Sequence, residues 1–202
     1  MSVANRRAFL AATAVAAAAA GVPARTPAAA TFDRAAFEAR ARLPFPHRQA
    51  FSSPRVADGA VFAFMYNSLN AYENGYGEGP GTLHAAAIFY HTGVALALDD
   101  AAWRSFGLAE TIRAGGDTLS ATNVTGNPFL HAPQGWSIAD LQRRGASFFV
   151  CRNALADMAR RTSTTLDVLQ THVLPGMLIV PAGVAAVNAL QEERFTLFVA
   201  DV

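Results

Sequence analysis

Five short, continuous apolar runs punctuate this chain, at residues 60–66, 84–90, 146–150, 177–180 and 196–199. Each has the length of a strand, and none alternates, which is the pattern of strands buried on both faces of a sheet. The intervals 68–75, 94–106 with 138–143, 153–161 with 165–173, and 184–193 carry apolar residues at helical spacing, enough to cover both faces. The expected fold is α/β: a three-layer α/β/α sandwich with a mainly parallel sheet of about five strands. At 202 residues, 52% of them hydrophobic, the chain is long enough to bury one sizeable core.

Three segments are expected. Residues 1–30 open with Asn5-Arg6-Arg7-Ala8-Phe9-Leu10 and continue as an uncharged, Ala-rich run. A cationic start followed by a weakly apolar stretch resembles a twin-arginine export signal, which implies a periplasmic or exported protein that folds before it is moved. The run is too short and too poor in large apolar residues for a stable membrane anchor. Small residues offer cleavage sites at Val22-Pro23-Ala24 and Ala28-Ala29-Ala30, the second preferred because ordinary composition resumes at Thr31-Phe32-Asp33. Residues 31–55 read as a helix followed by an extended arm, since Pro44 and Pro46 break the helical spacing. Residues 56–202 form the α/β domain.

Composition removes several function classes. All 16 basic residues are Arg and none is Lys, which excludes Schiff-base chemistry, a P-loop lysine and a lysine base. From Thr31 onward 13 Arg stand against 15 Asp and Glu, a net charge of −2 that suits no nucleic acid. His47, His84, His131 and His172 show no metal-ligand spacing, so neither a metal nor another cofactor is expected. The adjacent Asp99 and Asp100 point apart on a helix, a cap or solvated face rather than an acid/base pair. Gly75-Tyr76-Gly77-Glu78-Gly79 opens no helix and so makes a poor dinucleotide loop, which ranks a flavin-binding electron carrier last. The polar excursion 114–128 is the kind of segment that is functional or mobile.

Ligands of open parallel sheets bind beyond the carboxyl ends of the strands. The expected strand ends place five residues there: Asn67 after the first run, His91 after the second, and Cys151, Arg152 and Asn153 after the third. Cys151 is the single cysteine and cannot form an internal disulfide. It precedes a helix expected to start near Asn153, and a helix N-terminus with Arg152 beside it favours the nucleophilic thiolate. His91 is a candidate base or donor near that thiol. Asn67, Arg152 and Asn153 are candidate substrate contacts. The competing reading of Cys151 is a small buried hydrophobe.

The stretch Leu141-Gln142-Arg143-Arg144-Gly145-Ala146-Ser147-Phe148-Phe149-Val150-Cys151-Arg152-Asn153-Ala154-Leu155, then Leu174-Pro175-Gly176, Val180-Pro181-Ala182-Gly183-Val184 and Leu190-Gln191, resembles the DsrE/DsrF-like sulfur-relay family. His91-Thr92-Gly93 is similar to that family's His-Gly element. The chain departs from the pattern at Arg194-Phe195, where the family commonly has Gly-Tyr, in its excursion after the second strand, and in its export signal. The resemblance implies a small α/β subunit, a homo-oligomer, whose cysteine carries sulfane sulfur as a persulfide. Only Cys151 can be that residue, and with no second thiol in the chain the donor and acceptor must be a partner protein or a small thiol. The rival expectation is a non-catalytic binding or assembly module of the same fold.

Overall fold

The first helix, α1 (Arg34–Ala41), starts where Asp33 accepts the Ala36 amide at 2.8 Å, satisfying a donor that the helix itself leaves without a partner. A computed structural model describes residues 32–132 and 135–201; the segment 1–30, where an export signal is expected, lies outside the described residues. After α1 the chain enters β1 (His47–Ser53), followed by β2 (Leu83–Phe89), β3 (Ser147–Cys151), β4 (Leu178–Val180) and β5 (Thr196–Val199). These form one sheet in the order β4-β3-β2-β1-β5 with every neighbouring pair parallel. Helices cover both faces, so the architecture is the expected three-layer sandwich.

The first strand differs from expectation. The run 60–66 lies in a helix, α2 (Ala60–Asn70), and β1 comes from the segment 31–55 expected as a helix and an arm. That segment therefore belongs to the domain: its second half is an inner strand with β2 on one side and β5 on the other. β1 hides its identity because it is polar, and its polar groups find partners within the fold. Arg48 donates to the carbonyls of Glu193 at 2.9 Å and Leu43 at 3.2 Å. The Ser52 and Tyr90 hydroxyls bond at 2.7 Å, and Ser53 donates to the Arg55 carbonyl. α2 reads as a strand because it is apolar almost all round: it buries Val61, Phe62, Met65 and Leu69, while Phe64 packs on Phe198 and Tyr66 on Trp136. A helix enclosed in this way loses the polar stripe that would reveal its period.

Between β2 and β3 come a 3₁₀ segment (His91–Ala97) and the short helices α3 (Asp100–Ser105), α4 (Leu108–Ala114) and α5 (Ile138–Arg143). α6 (Arg152–Arg161) and α7 (Leu166–Thr171) join β3 to β4, and α8 (Gly183–Glu192) joins β4 to β5. The strands alternate between two cores. Phe51, Phe89, Phe148 and Val150 pack with α2 to α7, whereas Ala50, Ile88, Phe149 and Val180 pack with α1 and α8. This period of two is what a strand buried on both faces produces.

The excursion 114–128 is tied down at both ends. The buried Asp117 carboxylate accepts the Val56 amide at 2.7 Å, the Ala57 amide at 3.1 Å and the Thr92 hydroxyl, with Arg55 3.4 Å away. Asn127 donates to the carbonyls of Leu96 and Leu98. Asp99 caps α3 through the Ala102 amide, and Asp100 accepts the Asn127 amide, so the two acids do structural work on separate partners. Among the described residues no helix is long and apolar enough to cross a membrane.

Candidate functional site

The connections leaving β1, β2 and β3 run over the face covered by α2 to α7, whereas the one leaving β4 crosses the opposite face through α8. β3 and β4 are neighbours, so the chain parts to opposite faces between their carboxyl ends. Such a divergence is where open α/β sheets hold ligands. A cleft of about 340 Å³ lies there. Cys151, the last residue of β3, lines it together with Tyr90 and His91 from the end of β2 and residues 182–184 from the end of β4.

Cys151 is both the end of β3 and the N-cap of α6. Its sulfur accepts the Ala154 amide at 3.4 Å, in the position a serine or aspartate oxygen takes in other caps. The residue is 5% exposed. Across the cleft α8 starts at Gly183 with no side chain capping it. Two ten-residue helices thus direct their positive ends toward one crevice. The approach is close: a Cβ on Gly183 would stand 2.8 Å from Cβ of Tyr90.

Of the five residues expected at the site, three line this cleft: Cys151, His91 and Asn153. Arg152 begins α6 half-buried and is absent from the lining. Asn67 is an exposed residue on α2, because the strand it was expected to end is a helix. His91 is exposed at the rim with φ of 48°, its ring 5.2 Å from that of Tyr90. Among the described residues no hydrogen bond joins His91 to Cys151. The His91 segment is fixed two residues on, where Gly93 donates its amide to the Pro54 carbonyl and a side chain would collide with the Ser53 carbonyl.

Sequence reasoning missed Asp157 and Arg160, which also line the cleft. The signal was available, since 153, 157 and 160 fall on one helical face. Asp157 is engaged by Arg160 at 2.8 Å and by Arg161 at 2.7 Å, so the wall carries a neutralised carboxylate and a cation. A groove of about 400 Å³ between α1 and α8 is larger, but its charged rim is paired internally through Arg34–Glu38 and Arg42–Glu193, and it contains no nucleophile. No three His, Cys, Asp or Glu side chains gather as a metal-ligand set among the described residues.

No protein-family model matches this chain, and no curated protein matches it. A solved structure similar to it is that of a protein of unknown function, MTH1491, from Methanobacterium thermoautotrophicum, with a TM-score of 0.44 and 16% identity over 76% of this chain and 98% of that one.

Proposed function

We propose that this protein is a sulfur carrier of the DsrE/DsrF-like kind, holding sulfane sulfur as a persulfide on Cys151. The observation that supports this reading is the placement of the single thiol at the β3–β4 divergence, facing a cleft between two helix N-termini. In the loading step the Cys151 thiolate attacks a sulfane sulfur of a polysulfide. One S–S bond forms, another breaks, and the shortened polysulfide leaves as the anion. In the unloading step an acceptor thiolate attacks the terminal sulfur and Cys151 departs as thiolate, so no external oxidant or reductant is required. His91, Asn153 and the Asp157–Arg160 ion pair are among the polar groups an incoming polysulfide anion meets. Residues 1–30 direct export by the twin-arginine route; replacing Arg6 and Arg7 by Lys should leave the protein in the cytoplasm, and unchanged periplasmic recovery would refute the route.

The test of the carrier is intact-mass measurement after polysulfide treatment and removal of excess reagent, with an expected gain of about 32 Da per sulfur. The gain should vanish on reduction and in Cys151→Ser, which keeps an oxygen cap on α6 and so remains folded. No gain on the folded protein sinks the carrier. A second reading, a binding or assembly module in which Cys151 is only packed, draws on its 5% exposure and its place among the buried apolar residues.

A further inference from the structure

Cys151 lines a cleft of about 340 Å³ and is itself almost fully buried. That volume lies near the small end of the sites that hold small molecules. Sulfur exchange needs the two reacting sulfurs in contact and in line. A small thiol fits such a recess, whereas a thiol held on the flat surface of a folded partner is kept out of it.

The charges on the cleft wall are unevenly shared. α6 carries Arg152, Arg160 and Arg161 against one acid, Asp157. Asp157 is held twice, by Arg160 on Oδ1 at 2.8 Å and by Arg161 on Oδ2 at 2.7 Å. Arg160 belongs to the cleft lining and Arg161 does not. One cation is enough to neutralise the carboxylate, so Arg160 can pair with an anion in the cleft while Arg161 keeps Asp157 paired. Among the described residues Asp157 is the only acid in the lining, and neither α6 nor α8 has an acid in its first turn to offset its positive end.

We infer that the thiol that unloads Cys151 is a small molecule bearing a second, anionic group, a carboxylate or sulfonate, and that Arg160 is the residue that selects it. The inference rests on the carrier reading of Cys151. The acceptor thiolate attacks the terminal sulfur of the persulfide. The bond between that sulfur and Cys151 Sγ breaks as the new S–S bond forms, and Cys151 leaves as thiolate, so no further reagent is needed. The second anionic group pairs with Arg160 while the sulfur is transferred.

The test starts from protein loaded with polysulfide and freed of excess reagent. Loss of the added mass is followed with mercaptoethanesulfonate or with uncharged mercaptoethanol, each rate being divided by the thiolate concentration. The sulfonate-to-alcohol ratio should fall about threefold in Arg160→Gln, the effect of one surface pair for a side chain that is 71% exposed. It should survive in Arg160→Lys and shrink with added salt. A ratio equal in the wild type and Arg160→Gln overturns the inference, as does reduced thioredoxin, a folded protein thiol, unloading faster than the sulfonate at equal thiolate concentration. A protein that takes up no sulfur overturns the carrier reading and this inference with it, whereas a loaded protein without the charge preference removes this inference alone.

Discussion

Acid should unfold this protein through His84. Its ring is fully buried between Phe45, stacked at 4.9 Å, and Phe195, edge-on at 5.1 Å. Nε2 shares a hydrogen bond with the Ser147 hydroxyl at 2.9 Å, and Nδ1 has no partner. Burial, with the Arg48 charge added, lowers its pKa from 6.5 to about 4. A histidine depressed in the folded state takes up its proton first in the unfolded chain. Stability is therefore whole above the unfolded value and falls as pH drops from 6.5 toward about 4. The full difference corresponds to about 3 kcal/mol, of which about 2 kcal/mol is lost by roughly pH 5. The comparison protein is His84→Phe with Ser147→Ala, which removes both members of the pair and leaves neither stranded, a change expected to be near neutral at neutral pH. Urea unfolding of both proteins from pH 7.5 to 4.5 isolates the histidine, since the carboxylates titrate alike in each. The wild type should lose stability relative to the double variant as pH falls. Parallel curves, or a wild type that gains on the variant in acid, would refute the argument.

Three further outcomes follow from the loops around the sheet's carboxyl end. Asp117→Asn turns a buried acceptor of several hydrogen bonds into an amide with one acceptor oxygen, and should cost roughly 2–3 kcal/mol in urea unfolding; a loss under half of that would show that the excursion 114–128 is not anchored there. Gly93→Ala drives a methyl into the Ser53 carbonyl and should destabilise by about 1–3 kcal/mol, with a neutral result ruling out the close approach of the two strand ends. Gly183→Ala narrows the cleft against Tyr90, and should slow polysulfide loading of Cys151 more than it lowers stability; unchanged loading would place the entry path elsewhere.

The sequence exposes β2, β3 and β4 because their apolar runs are the core, β5 because its run is apolar although its residues are exposed, and the helices between β3 and β5 because one stripe of each stays polar. It conceals β1 and α2 for complementary reasons. β1 is an inner strand whose Arg48 and Ser52 find the Glu193 carbonyl and the Tyr90 hydroxyl, groups from distant segments, information that no local window contains. α2 is surrounded, so its period is erased. The error at α2 carried Asn67 with it, whereas the ends of β2 and β3 delivered His91, Cys151 and Asn153 to one cleft. Asp157 and Arg160 lie beyond the strand ends, and only helical spacing from Asn153 places them along the same wall.

The burial of Cys151 and its proposed use as a carrier are compatible on geometric grounds. Its sulfur already serves the backbone by accepting the Ala154 amide, and a persulfide leaves that inner sulfur in place. The added atom would sit about 2 Å beyond it, and the proposed reading requires that it project into the cleft that Cys151 lines. On that reading, loading would convert a shielded thiol into a terminal sulfur that reagents can reach. Alkylation rates with iodoacetamide test this: a persulfide is intrinsically the better nucleophile, so the loaded-to-unloaded ratio must be measured in the folded protein and again in urea. The folded ratio should exceed the unfolded one several-fold, because only folding hides the bare thiol. Equal ratios would mean that the terminal sulfur gains no access from the cleft, and that the placement of Cys151 at the β3–β4 divergence serves packing alone.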